Sequence, residues 1–323
     1  METAIDRGEF PQTTSLLVVQ DGATVYEHYW QANVDTLHDT RSATKSITAL
    51  AVGIAVGQGK LPSVDAPAFG YLDELAPLAN DTPAKQAITI ADLLTMSSAL
   101  DCNDDVDDSP GNEENMYPKK VWARWAADLP TRAYARDATG RGPFAYCTAG
   151  VFLLGQIVAR AVGAKIDDWL DGVLFRPLGI TQGEWSKSPS GEIMTGGGLR
   201  LRTRDLVKLA QLVMAGGTWQ GRQIVPAEFI ARATTAQRRA GSEAEYGYLF
   251  WNRQYRSNCG STSGWFMSGN GGNAIVILRD LHAVIAVTRV HYNSRGMHDE
   301  TRKLIETFVL PNLPCPAGKS KRA

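Results

Sequence analysis

Strand signals stand at the two ends of this chain and helix signals lie between them, and few folds satisfy that order. Residues 15–20 and 23–30 read as strands on either side of Asp21-Gly22, a pair that supplies the positive φ angles of a two-residue hairpin turn. Further strands are expected at 246–251, 264–267, 273–278 and 283–290, with Gly, Asn and Asp turns between them. Helices are expected from residue 42 to the glycines at 57 and 59, then at 121–127, 148–162, 167–174, 203–215 and 226–233. Their apolar residues recur at helical spacing, as Val151, Leu154, Ile157, Val158 and Ala161 do. Stops such as Leu129-Pro130, Leu178-Gly179 and Gly216-Gly217 close them. Residues 60–90 look irregular, Ile88–Met96 reads as a short strand or extended piece leading into a helix, and a closing helix is expected at 297–309. The simplest packing is an α+β fold. One antiparallel sheet forms from the N- and C-terminal segments, flanked by helices, and a mainly helical lobe is inserted between them. The α/β lobe would take about 1–60 and 240–310, and the helical lobe about 61–239. A cleft between two such lobes is a usual place for a small-molecule site.

The helix after Thr40 opens on Ser42-Ala43-Thr44-Lys45. Residues three apart share a helix face, with Cβ atoms about 5–6 Å apart, so the Lys45 amine can reach the Ser42 hydroxyl. A serine is a poor nucleophile until a base takes its proton. A lysine is that base only where burial or cations depress its pKa. Ile47, Leu50, Ala51, Ile54 and Ala55 continue as an apolar stripe, which would bury the pair. Alone, Ser-x-x-Lys is a short and common motif, so support must come from elsewhere in the chain. Tyr146, within Phe144-Ala145-Tyr146-Cys147-Thr148, stands at the start of the helix at 148–162. Beside a buried lysine its phenol pKa would fall, and it would pass a proton between serine and leaving group. The plainer reading is a core aromatic with a satisfied hydroxyl.

A third piece is Ser268-Gly269-Asn270-Gly271-Gly272, ahead of the apolar strand 274–278. Glycines in a strand mark the close approach of another group. A substrate carbonyl there would accept from the main-chain N–H groups of Asn270 and Ser42; a tight turn is the alternative. No lysine follows these glycines, which excludes a phosphate-binding loop. His28, His38, His282, His291 and His298 sit in no triad or nucleophile-elbow context, and they read as surface or strand residues.

The stretch 101–117 carries Asp101, Asp104, Asp105, Asp107, Asp108, Glu113 and Glu114. Such carboxylates suit calcium, but the glycine and glutamate miss EF-hand spacing. A solvated loop covering one side of a pocket is expected instead. No metal or cofactor is implied. A formal net charge of -1 leaves no nucleic-acid footprint, and no apolar run reaches the length of a membrane span. No signal-peptide core follows Met1; the chain would be cytoplasmic, or periplasmic or secreted if it is a mature form. Cys102, Cys147, Cys259 and Cys315 lack metal-site spacing. Free buried thiols are the expectation, although an even count permits disulfides. Residues 318–323 form a basic tail, expected to be disordered.

Ser42-x-x-Lys45, Tyr146-Cys147-Thr148 and Ser268-Gly269-Asn270-Gly271-Gly272 occur in that order, with Gly196-Gly197-Gly198-Leu199-Arg200-Leu201 and Tyr246-Gly247-Tyr248 between. Over nearly its whole length the chain resembles the serine β-lactamase/penicillin-binding-protein superfamily. Within it, the chain looks closest to class-C-like serine hydrolases: family VIII carboxylesterases, D-amino-acid peptidases and 6-aminohexanoate-dimer hydrolases. The resemblance implies one β-lactamase/transpeptidase-like domain over 1–317 and no cofactor. It implies Ser42 as acylated nucleophile, Lys45 as its base and Tyr146 as proton shuttle, with the amides of Ser42 and Asn270 as oxyanion hole. Substrate contacts would come from Thr148, Met267, Ser268, Gly269 and Tyr117.

Two departures matter. The family's second motif ends in asparagine, where this chain has Thr148. Its third motif usually reads Lys-Thr-Gly or His-Thr-Gly, where this chain has Met267-Ser268-Gly269. A cation there would bind a substrate carboxylate; Met267 cannot, so neutral esters or small amides are the expected substrates, unless Arg200 or Arg289 supplies the charge. A β-lactamase or D-amino-acid peptidase of the same fold is the alternative. A catalytically silent sensor or binding domain is another, and intact Ser42, Lys45 and Tyr146 argue against it. The resemblance also implies a Cys102–Cys147 bridge if the protein is exported.

Overall fold

Asp21 and Gly22 adopt φ angles of 50° and 79°, the positive pair that a tight hairpin turn demands. In the computed structural model, which describes residues 1–134, 136–138 and 140–316, this turn joins β1 (Thr13–Gln20) to β2 (Ala23–Tyr29). The remaining strands of the same sheet come from the far end: β3 (Arg238–Arg239), β4 (Glu245–Tyr246), β5 (Trp251–Ser257), β6 (Gly260–Gly269), β7 (Asn273–Leu278) and β8 (Ala283–Arg289). Their spatial order is β2-β1-β8-β7-β6-β5-β4-β3, antiparallel throughout. The two ends of the chain meet at β1 and β8, where Leu17 lies opposite Ala286 and Val18 opposite Ile285.

Both faces of this sheet are covered, which explains why its central strands read as unbroken apolar runs. Leu17, Val19, Ile275, Ile277, Val284 and Ala286 point into one core. Leu16, Val18, Val276, Leu278, Ile285 and Val287 point into the other, against Phe10, Leu304 and Ile305. On the first face lie the helices α1 (Thr44–Gly57) and α5 (Thr203–Met214), with α2 (Ile90–Leu94), α3 (Trp122–Asp128) and α4 (Thr148–Val162) beyond them. On the second lies α6 (Met297–Leu304). Every residue of α1 from Thr44 to Ala55 is buried, so this helix is surrounded on all sides, as an apolar run with no polar face requires. No single helix among the described residues is long and apolar enough to cross a membrane.

The structure corrects several expectations. Residues 247–250 turn rather than extend, with Leu249 at a positive φ of 58°; the strand is Trp251–Ser257. Its Arg253, Gln254 and Arg256 leave no apolar alternation to read. Ile88–Met96, by contrast, is as expected: Thr89 is extended and bridges Pro67, and the short helix α2 follows, begun by a capping box in which Thr89 Oγ1 accepts from Asp92 N–H at 3.1 Å and Asp92 Oδ2 accepts from Thr89 N–H at 3.0 Å. A small sheet of His38–Asp39, Leu199–Leu201 and Glu184–Trp185 was not foreseen; pieces this short leave no period. The basic tail expected at 318–323 lies outside the described residues.

Candidate functional site

The chain enters α1 through a strained corner. Arg41 holds a left-handed φ of 48°, a conformation that costs a non-glycine residue about 1–3 kcal/mol and persists where neighbours enforce it. Here Arg41 Nε pairs with Asp39 at 3.2 Å and the guanidinium stacks 4.3 Å from the Tyr292 ring centroid. A 3₁₀ turn, Arg41–Ala43, follows and leads directly into the helix. Ser42 is thereby left partly exposed at the start of a buried helix.

One turn deeper, Lys45 is 1% exposed. Its Nζ lies 2.9 Å from Ser42 Oγ and 2.5 Å from the Gly196 carbonyl oxygen. The segment that supplies this carbonyl is laced to the helix: Thr48 Oγ1 donates to Thr195 O at 2.7 Å and Leu199 N–H donates to Thr44 Oγ1 at 3.2 Å. Gly196 must be glycine, because a Cβ there would come within 2.7 Å of Thr148 Cγ2.

Tyr146 precedes α4 and places its ring centroid 5.0 Å from Lys45 Nζ. Burial pushes its phenol above the ordinary value, while Lys45 and a hydrogen bond with Ser42 pull the other way. The sequence suggests that the lysine would win. Burial wins instead, so Tyr146 is a neutral phenol at neutral pH. The Trp251 ring packs against it at 5.7 Å, and Tyr246 packs in turn against Trp251 at 4.8 Å.

The end of β6 closes the third side. A Cβ on Gly269 would sit 2.2 Å from the Thr40 carbonyl oxygen, so only glycine lets this strand end touch the corner that carries Ser42. The Asn270 side chain is fixed by Asn293, donating to its Oδ1 at 2.6 Å and accepting from its N–H at 2.8 Å. A cavity of about 310 Å³ results. Ser42, Tyr146, Ser268, Gly269 and Asn270 line it, together with Asp104, Asp105, Glu113, Trp251, Arg253, Phe266, Met297 and His298.

Of the residues singled out in the sequence, Lys45 lies directly beneath Ser42. Met267 is fully buried in the core on the opposite face of β6 and does not line the cavity. Thr148 is buried behind the site, donating its N–H to Asp104 Oδ2 at 2.6 Å. Tyr117 stands outside, 39% exposed, donating to Glu113 Oε2 at 2.9 Å. Arg289 is taken up by Glu300 at 2.6 Å, Pro11 O at 2.8 Å and Met297 O at 2.9 Å, and Arg200 is exposed on the small sheet. The cation that does line the cavity is Arg253, packed 4.9 Å from the Phe266 ring centroid. His298 also reaches the cavity, its Nδ1 3.4 Å from Ser268 Oγ. Burial, with Arg253 nearby, holds its pKa below the usual histidine range.

Sequence reasoning left Asp104 in a solvated acidic loop. It accepts from Thr148 N–H at 2.6 Å and Glu113 N–H at 2.9 Å, and its own N–H donates to Tyr146 O at 2.8 Å. Burial pushes its carboxyl up to about 6, against the opposing pull of Lys45. Among the described residues the loop's acids do not gather into a metal site. The signal that would have found Asp104 is covalent. Cys102 is bonded to Cys147, the pairing that the resemblance implied, and Cys259 to Cys315; the expectation of free thiols read from the residues alone is corrected. The first bridge ties the residue two before Asp104 to the residue after Tyr146. Spacings of 45 and 56 residues give a sequence reader no pairing pattern.

The family model described as Beta-lactamase matches residues 9–306. The 6-aminohexanoate-dimer hydrolase of Paenarthrobacter ureafaciens is 25% identical over 267 residues, covering 80% of this chain and 65% of the relative. The chain thus spans a little under two thirds of that protein's length. Among solved structures, the penicillin binding protein from Bacillus halodurans superposes with a TM-score of 0.71 at 17% identity, over 94% of this chain and 98% of that one. EstCE1, described as a hydrolase with promiscuous acyltransferase activity, gives 0.73 at 14% identity, over 94% and 96%. These likenesses show a shared fold.

Proposed function

The chain belongs to the beta-lactamase family, a family of hydrolases, and on that premise we propose that it is a serine hydrolase cleaving carboxylic esters or small amides through an acyl-enzyme. The observation that carries this reading is the Lys45 amine 2.9 Å from the Ser42 hydroxyl, beneath an open cavity. A nucleophile, a base within hydrogen-bond reach and a third group that orients them are what covalent catalysis needs.

In the proposed cycle Lys45 takes the Ser42 proton as Oγ bonds to the acyl carbon and the carbonyl π pair moves onto oxygen. The main-chain N–H groups of Ser42 and Asn270 would receive that oxyanion, an arrangement whose loss typically costs about 10²–10³ in rate. As the tetrahedral centre collapses, the bond to the leaving group breaks and the leaving group takes the Tyr146 proton. Lys45 then returns its extra proton to Tyr146. A neutral phenol suits this relay, since it can give a proton and receive one in the same step. Water repeats the sequence on the acyl-enzyme and restores Ser42.

Hydrolysis of p-nitrophenyl butyrate by wild type and Ser42→Ala tests the reading. A loss of at least about 10³-fold is expected, with an acyl adduct found on the wild type alone by intact mass. Equal rates would leave only a sensor or binding role. A second reading, favoured by Arg253, is cleavage of carboxylate-bearing substrates such as β-lactams or D-peptides. Nitrocefin, D-amino-acid amides and 6-aminohexanoate dimer would be ranked against neutral esters. Under this second reading Arg253→Ala raises KM for the carboxylates by about tenfold and leaves neutral esters unchanged.

A further inference from the structure

The loop residue Asp104 has no role in the cycle above, yet it is built into the site more firmly than a loop carboxylate needs to be. Both of its oxygens are held by main-chain amides, Oδ2 by Thr148 at 2.6 Å and Oδ1 by Glu113 at 2.9 Å. Its own N–H is anchored on the carbonyl of Tyr146 at 2.8 Å, and the Cys102–Cys147 bridge closes the same junction covalently. The carboxyl lines the cavity with Ser42 and Tyr146 and acts electrostatically on Lys45. It lies at the N-terminus of α4, where the helix dipole favours an anion. Thr148 stands two residues after the tyrosine and brings no side-chain amide to the site; its main-chain N–H, which any residue there would offer, goes to Asp104.

We propose that Asp104 is a positioning residue for the acyl transfer argued above: its fixed carboxylate stabilises the ammonium that Lys45 becomes on taking the Ser42 proton. The inference rests on that reading of Ser42 and Lys45. Charge separates in the step, positive on Lys45 and negative on the substrate oxygen, and a fixed anion within electrostatic reach of the ammonium lowers the cost of separating it. Asp104 neither gives nor takes a proton in the cycle. Its support exists only while it is ionised, and the same burial that fixes it pushes its carboxyl up to about 6. The charged and titratable groups around it are Lys45 from α1, Tyr146 ahead of α4, and Asp105, Glu113 and Tyr117 from its own loop, with Arg253 and His298 lining the same cavity. Glu113 pushes its carboxyl up and Lys45 pulls it down.

The test is steady-state hydrolysis of p-nitrophenyl butyrate between about pH 4.5 and 8.5 by wild type, Asp104→Asn, Asp104→Glu and Ser42→Ala. Wild-type kcat should fall on the acid side with a midpoint near 6, where Asp104 takes up a proton. Asp104→Asn should lose about 10–100-fold in kcat at pH 8 with KM changed by less than about threefold, and the acid limb near 6 should vanish. Asp104→Glu should recover part of both. The pH dependence of the deficit separates this from a merely structural role. Asparagine accepts from one of the two main-chain N–H groups and turns its NH2 toward the other, so Asp104→Asn should melt lower at pH 5 and pH 8 alike, whereas its kcat deficit should be full at pH 8 and shrink toward pH 5, where wild-type Asp104 is itself protonated. Unchanged kcat, an intact acid limb in Asp104→Asn, or a kcat deficit as large at pH 5 as at pH 8 would each overturn the proposal. Equal rates for wild type and Ser42→Ala would instead remove the acyl-transfer reading, a different result.

Discussion

Among the described residues two lysines are buried, and their surroundings differ. Lys85 is fully buried and donates to two main-chain carbonyls, Ala79 O at 3.0 Å and Ala127 O at 2.8 Å, with the Phe69 ring at 5.7 Å. Lys45 is equally buried and also holds a carbonyl, but its second partner is a hydroxyl at the floor of a cavity. Burial lowers the pKa of Lys85 while Asp128 and Asp81 oppose it. A buried amine is therefore no mark of a reactive one. What distinguishes Lys45 is an acceptor able to give up a proton and an opening through which a substrate can reach it.

Replacing each lysine should split the two cases most sharply. Lys45→Ala should cost at least about 10³-fold in ester hydrolysis with the fold retained. Lys85→Ala should leave turnover within about twofold, yet lower stability by about 1–3 kcal/mol, because carbonyls lose a buried donor. Calorimetry and p-nitrophenyl butyrate kinetics on both variants check the contrast; Lys85→Ala inactivity in a folded protein would break it. Gly269→Ala comes next. Its Cβ would collide with Thr40 O, moving the β6 end away from Ser42 without touching Lys45. A fall of about 10–100-fold in kcat is expected, and wild-type turnover would show that this contact does not set the site.

The disulfides offer the same comparison at smaller amplitude. Cys102–Cys147 joins the Asp104 loop to the Tyr146 segment, whereas Cys259–Cys315 fastens the β5–β6 hairpin to the chain after α6. Removing either pair as a double alanine variant should cost about 2–4 kcal/mol in a denaturant melt. Only Cys102→Ala/Cys147→Ala should also lower kcat, by several-fold, since Asp104 and Tyr146 lose a shared anchor. Equal kcat losses from both pairs would mean the bridges act on the site through global stability alone.

Much of this arrangement was legible because it rests on periodic or local signals. Asp21-Gly22 dictated a hairpin, and apolar spacing placed 148–162 as the helix that forms. Ser42 and Lys45 could be paired from helix geometry alone. What escaped is what depends on distant chain segments meeting. Whether Met267 or its neighbours face the cavity is decided by the face of β6 that meets α6. The sign of the Tyr146 shift is decided by how deeply Trp251 and Tyr246 bury it. Asp104 looked like part of a charged, solvated run: the Cys102–Cys147 bridge that the resemblance implied brings the loop to the cleft without saying which of its carboxylates turns inward. Strand β5 was misplaced for a related reason: Arg253 interrupts the face that carries Trp251 and Tyr255, because it lines the cavity, and the period-2 pattern is lost.

The pairing of Thr13 with Arg289 across β1 and β8 also fixes when the protein can become itself. At about 5–20 residues per second, a ribosome that has released β1 needs on the order of 10–50 s to deliver its partner strand. Until then the first hairpin has an unclaimed edge, and the corner that carries Ser42 has no β6 to lean on. The helical middle, whose last helix ends at Ala233, is complete only about 2–10 s before β8. Nascent chains of this protein should therefore pass late in synthesis through a state with a structured interior and an unfinished sheet, with the corner that carries Ser42 among the last places to settle.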